Sequence, residues 1–209
     1  MVKVKETHLL LVLVILLGGL GAGAAFVPSI NVNLDDLVVS DYQVELSNDG
    51  ILTETFVFDV RESNEYQMLF RYWEADVVYN TSLSNPYISV LSVDSSFVSY
   101  VKDFQGKVFP STVTGVDRSL IFSKAYNNEI GMYNPSYFDI GSYTLEITYQ
   151  IAPPVETDDD VFHLNLQLAS DHIDYEHVEI ILDDPNNDIF EVYSRPDLTI
   201  TELDDQIIL

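Results

Sequence analysis

A carboxylate that falls in step with the apolar side chains of a strand must be neutralised, reach water at the sheet edge, or meet a cation. Glu54 is such a group, sharing the parity of Leu52, Phe56 and Phe58 in the run 51–60. The following run, 66–73, places Arg71 in step with Leu69 and Trp73, so a Glu54–Arg71 pair across neighbouring strands is the expected solution. The opposite parity, with Ile51, Thr53, Thr55 and Val57 facing inward, leaves Glu54 solvated. A buried ion pair of this kind more commonly fixes register than performs chemistry, so its expected role is that of a structural latch.

Metal chemistry has two candidate locations. His163, His172 and His177 lie close in sequence beside Asp171, Asp174, Glu176 and Glu179, and imidazole with carboxylate is a normal zinc ligand set. If the strand from 161 pairs with the strand from 175, His163, His177 and Glu179 share an outward face. The alternative is a solvated polar face, because neither a His-x-His nor an HExxH spacing is present. Two oxygen-rich loops, one with Glu156, Asp158, Asp159 and Asp160 and one with Asp183, Asp184, Asn186, Asn187 and Asp188, offer the ligands calcium prefers without the EF-hand spacing. The expectation is therefore no cofactor, with calcium the cation that the acidic loops would suit.

Covalent chemistry has less support. The chain has no cysteine, which removes thiolate nucleophiles, disulfides and zinc ribbons. No GxSxG elbow follows the N-terminal apolar run, and nothing selects a glycosidase-type pair among 34 acids. No catalytic residue is assigned. Asn80-Thr81-Ser82 forms an N-glycosylation sequon. Tyr126, Tyr133 and Tyr137 fall in an Asn- and Pro-containing stretch, where exposed rings can contact sugars or proteins or simply cover the end of a sandwich.

The chain as a whole limits what these groups can serve. Its 209 residues carry 34 Asp or Glu against nine Lys or Arg, a net charge of −25. Such a surface repels nucleic-acid phosphates and anionic lipid headgroups and stays soluble in high salt, as in a salt-tolerant envelope. Lys3 and Lys5 precede an apolar run from 9 to 27, which marks an export signal. As a helix it would extend about 28 Å, close to the roughly 30 Å of a bilayer core. Ala22 and Ala24 also have the small-x-small spacing read by signal peptidase. Residues 1–28 are thus a signal peptide or an N-terminal membrane anchor, and 29–209 an extracytoplasmic domain. That domain is held at the cell membrane if the segment is kept and secreted if it is cut.

Beyond residue 30 apolar side chains recur at every second position, the period of strands. The run 143–151 alternates Tyr, Leu, Ile, Tyr and Ile with polar residues, and Asp49-Gly50 separates two alternating runs as a hairpin signal. Further strands are expected at 66–73, 87–93, 97–101, 120–123, 162–168, 178–182 and 190–193, with long excursions at 80–86 and 125–139. No stretch sustains a helical period over three turns. The expected fold is all-β, an antiparallel β-sandwich preceded by one N-terminal hydrophobic helix.

The strand before Asn48-Asp49-Gly50, the segment Ile51-Leu52-Thr53-Glu54 and the later Phe70-Arg71 resemble the opening of the domain of unknown function 2207 family, predicted membrane proteins of bacteria and archaea. Gly141-Ser142-Tyr143, the strand ending at Tyr149, and Phe162-His163-Leu164-Asn165 followed by Ile173 and the strand 178–182 are similar too. The resemblance implies an exported N-terminal β domain and no particular reaction. The expected function is an exported, membrane-tethered β-sandwich with an interaction or scaffolding role at the cell envelope. Its expected partners are the membrane, through the N-terminal helix, and an envelope protein or glycan. An extracytoplasmic hydrolase or a calcium-dependent binding module using the acidic loops is the alternative.

Overall fold

The computed structural model describes residues 10–14, 36–79, 87–110, 118–152, 155–158, 161–168 and 172–209, with the backbone alone for 10–14, 155–158 and 161. Alternation builds the centre of the molecule. β2 (Leu37–Leu46) and β3 (Ile51–Val60) form a hairpin in which every second residue of β3 is buried. The turn between them needs glycine: Gly50 has φ +79°, and a Cβ there would approach Gln150 Nε2 and the Ile151 carbonyl to 3.0 Å. β10 (Gly141–Ile151) pairs antiparallel along the other edge of β3, setting Leu145 opposite Phe56 and Tyr149 opposite Leu52.

Around this hairpin a mixed sheet runs in the order β16 (Thr201–Glu202), β17 (Gln206–Ile208), β14 (Val178–Asp183), β2, β3, β10, β6 (Ile88–Ser95), β5 (Val77–Val78), with β13 (Asp174–Tyr175) also on β2. A second sheet has the order β4 (Met68–Tyr72), β9 (Glu129–Tyr133), β7 (Val98–Lys102), β8 (Val108–Pro110). A third runs β11 (Val155–Asp158), β12 (Val161–Leu166), β1 (Leu10–Val14), β15 (Glu191–Arg195). One core joins the layers, with Phe56 and Ile147 from the first sheet, Leu69 and Ile130 from the second, and Leu166 and Val192 from the third.

Several expectations are corrected. The sheets are not antiparallel throughout: β14 and β13 run parallel to β2, β5 runs parallel to β6, and β1 runs parallel to both its neighbours. A two-residue period reports which face a side chain occupies and is silent on the direction of the next strand. The expected strand at 120–123 is part of a helix, α1 (Arg118–Lys124), that buries Ile121 and leaves Leu120 and Phe122 exposed. The expected excursion at 125–139 contains β9, buried at all five positions. Of the N-terminal apolar segment, only Leu10–Val14 is described, as a strand; the rest of the expected helix, the sequon at Asn80 and the excursion at 80–86 lie outside the described residues. No helix among the described residues is long and apolar enough to cross a membrane.

β9 also fixes a close approach. A Cβ on Gly131 would come within 2.5 Å of the Leu69 carbonyl and 2.8 Å of both Phe70 Cβ and the Tyr100 hydroxyl. Two of those neighbours belong to flanking backbone or its first side-chain atom, so the ladder itself must shift. Gly131→Ala is expected to destabilise the domain by about 1–3 kcal/mol, the range for overpacking. A chemical denaturation curve checks this, and an unchanged midpoint would show that the second sheet yields freely.

Candidate functional site

Two buried polar clusters and one acidic loop contain the groups with chemical potential. The first cluster is centred on Glu54 and Arg71, whose side chains are both fully buried, with Arg71 Nε 3.2 Å from Glu54 Oε2. Glu54 lies between Val44 on β2 and Ile147 on β10, while Arg71 belongs to β4, which pairs with β9. The pair therefore meets across two layers. It does not cross a ladder, as neighbouring strands would have required.

The remaining valences of both groups are met from within the protein. The Tyr42 hydroxyl donates to Glu54 Oε1. Arg71 Nη1 donates to the Tyr72 carbonyl, and Nη2 to the Gln167 carbonyl at 3.0 Å. The guanidinium lies 3.6 Å from the centroid of Trp73, whose ring meets Tyr149 edge-on. Burial first, and the Glu54 charge second, hold the Tyr42 and Tyr149 phenols well above the ordinary tyrosine range. Both stay protonated at physiological pH, so Tyr42 is a donor. Gln167 directly follows β12, so the guanidinium, itself on the second sheet, reaches both Glu54 in the first sheet and the segment leaving the third. An ion pair sealed in this way is suited to fixing the layers and has no face open to a substrate.

The second cluster was not legible as a site. Glu129 on β9 is 1% exposed. Its Oε1 accepts from the Tyr100 hydroxyl, and its Oε2 accepts from the Tyr126 amide at 2.8 Å. Burial pushes its carboxyl up to about 7, against the opposing pull of Tyr100, the Tyr126 amide and Lys102. Lys102, opposite Glu129 in register, turns its ammonium to the carbonyls of Phe122 at 2.9 Å and Ala125 at 2.7 Å. It thereby satisfies orphan acceptors at the C-terminal end of α1, where a cation is favoured. The only hint in the sequence is a glutamate leading Ile130, Met132 and Tyr133.

Among the described residues the expected histidine grouping does not assemble. β12 and β14 belong to different sheets, so the outward face that His163, His177 and Glu179 were expected to share does not form. His177 Nδ1 sits 2.7 Å from Asp41 Oδ1 at the surface, and His172 stacks on Phe70 with centroids 4.5 Å apart. Asp158 is placed by its backbone in β11, opposite Val161, and Asp160 lies outside the described residues. In the second acidic loop, Asp184 accepts the amides of Asp188 at 2.6 Å and Ile189 at 3.0 Å, so its carboxylate closes the 184–189 turn. Among the described residues, no three His, Asp or Glu side chains converge to hold a metal ion. Tyr126 and Tyr137 are exposed, whereas Tyr133 is buried in β9.

No curated protein matches the chain in sequence. Among solved structures, an M1 zinc metallopeptidase from Deinococcus radiodurans aligns at a TM-score of 0.39 and 11% identity, over 83% of this chain and 38% of that one. A two-domain M1 zinc metallopeptidase mutant bound to L-arginine aligns at 0.38 and 12%, with the same coverage. The chain thus spans well under half the length of those structures. The family model of the DUF2207 N-terminal domain, described as a predicted membrane protein, matches residues 39–207, and the chain belongs to that family.

Proposed function

We propose that this chain is the extracytoplasmic β domain of an envelope membrane protein, tethered by its N-terminal apolar segment and acting by interaction or scaffolding, not by catalysis. Membership of a predicted membrane-protein family carries the reading. The charge supports it: a chain at −25 is repelled by anionic headgroups, so a tether must be apolar and the acidic body must face water. The buried charged groups add to it, because Glu54, Arg71, Glu129 and Lys102 are engaged by protein partners.

The absence of native cysteine gives a clean topology test. Ser136→Cys, at an exposed position of the second excursion, is expected to react with a membrane-impermeant maleimide on intact cells, and the labelled chain to sediment with membranes after carbonate washing. Labelling only after lysis would place the domain on the cytoplasmic side and end the proposal.

A further inference from the structure

β1 places the chain's own Leu10–Val14 between two strands of the third sheet. It runs parallel to both, with Leu11 opposite Leu164 and Val192, and Leu13 opposite Leu166 and Ser194. That placement is incompatible with the tether. If 10–14 stays in the sheet, the thirteen residues from 15 to 27 remain, about 20 Å of helix against a bilayer core of about 30 Å. Cleavage after Ala24 would remove 10–14 altogether. By either route, the place between β12 and β15 is vacated in the exported chain.

Both walls are held by contacts that do not involve the strand between them. Leu166 and Val192 belong to the common core. The Gln167 carbonyl accepts from Arg71 Nη2 at 3.0 Å, and Ser194 Oγ accepts the Leu198 amide at 2.8 Å. Among the described residues β15 pairs with β1 alone, and β12 has only β11 besides. Vacating the slot therefore leaves two facing backbone edges, a template for another extended chain. The register also says which chain fits. Positions 11 and 13 lie opposite Leu164, which is half-buried, and Leu166, Val192 and Ser194, which are buried. Positions 10, 12 and 14 lie opposite Glu191, Asn165, Tyr193 and Arg195, of which the last three are exposed. A strand suited to the slot is apolar at two alternate positions and polar between them. Leu-Leu-Val-Leu-Val is apolar at all five, as a membrane segment is and a half-wet strand is not.

We propose that the gap between β12 and β15 is a docking slot for an extended strand of a partner protein, parallel to both walls, apolar at two alternate positions and polar between them, and that it opens when the N-terminal segment enters the bilayer or is removed. The inference rests on the tethered, interacting domain proposed above and names the kind of partner segment it takes. The main-chain ladder supplies affinity, and the buried face at Leu164, Leu166 and Val192 supplies selectivity.

The test uses the full chain in zwitterionic nanodiscs, with cysteines introduced into a protein that has none. The probe is the peptide Cys-Leu-Thr-Leu-Thr, flanked by Gly-Ser, in a glutathione redox buffer with mass spectrometry as the readout. In a parallel strand its first residue takes position 10, opposite Glu191, while Arg195 lies about 13 Å further along. Saturable disulfide trapping is therefore expected at Glu191→Cys, at least about tenfold above Arg195→Cys. Asp in place of both peptide leucines is expected to cut trapping at Glu191→Cys at least about tenfold, as loss of two buried leucines requires. Val12→Cys combined with Tyr193→Cys, opposite in register, is expected to stay reduced in the same buffer, because residue 12 is then in the bilayer. The Ser136→Cys labelling is read independently, so failure here beside an outside label leaves the topology standing. A disulfide between positions 12 and 193, trapping indifferent to the leucines or favoured at Arg195→Cys, or no trapping at millimolar peptide would overturn the proposal.

Discussion

Arg71→Ala is expected to lower the unfolding free energy by about 3–5 kcal/mol, the cost of leaving one member of a buried ion pair without its partner. The reasoning starts from Glu54, which is fully buried between Val44 and Ile147. With the guanidinium gone its carboxylate loses its cation while keeping the Tyr42 hydroxyl, and the carbonyls of Tyr72 and Gln167 each lose a donor. Trp73 loses the cation over its ring. Glu54→Gln should cost less, since an amide oxygen still accepts from Tyr42, yet it strands a buried cation, and a clear fall in melting temperature is expected. Replacing both residues with Leu should cost less than the two single Leu replacements added together, because neither charge is then left unpaired. Thermal and urea unfolding of the two single Leu variants and the double variant measures the coupling. Strict additivity, or an unchanged transition in Glu54→Gln, would show that the pair does not hold the layers.

The parity that exposed this pair also marks the limit of what the sequence reveals. Alternation in 51–60 and 143–151 identifies strands whose one face is dry, and β3 and β10 follow it residue by residue. It places Glu54 and Arg71 on inward faces, and both are there, but it cannot say whether inward groups meet along a ladder or between layers. β9 escaped notice for a related reason: Glu129 to Tyr133 are buried on both faces, so no alternation exists, and the flanking Asn and Pro residues give the segment a loop's composition. α1 was misread because three consecutive apolar residues, 120–122, fit a short strand as well as one helical turn, and only Ile121 is buried. The histidine grouping failed for want of topology. His163 and His177 are 14 positions apart in sequence, yet their strands enter different sheets, and nothing in a local pattern records that choice.

Glu129 leads to the second large effect, a domain that gains stability on mild acidification. The folded state holds this carboxyl up to about 7, above its ordinary 4.5, chiefly by burial. Between those two values the folded chain binds a proton that the unfolded chain does not. The stabilisation is therefore complete below about 4.5 and is lost as pH rises through about 7, with a magnitude on the order of 3 kcal/mol. The groups around it are the Tyr100 hydroxyl and Lys102 on β7, the Tyr126 amide, and Tyr72 opposite in register on β4. Protonation of other acids also relieves repulsion in a chain of −25, so the slope of the native protein alone does not isolate Glu129. Glu129→Gln does. Its amide oxygen can accept from Tyr126, its NH2 can donate to the Tyr100 oxygen, and no charge is buried at any pH. The variant is expected to melt at nearly the native temperature at pH 4.5 and several degrees higher at pH 8. Parallel curves for the two proteins across that range would mean that Glu129 does not titrate there. The same loss has a local reading, because the Tyr126 amide links the carboxylate to the end of α1. Exchange at the Ala125 amide, bonded to the Ile121 carbonyl at 2.9 Å, should accelerate between pH 6 and 8 beyond the intrinsic rate, while amides of β3 hold their protection.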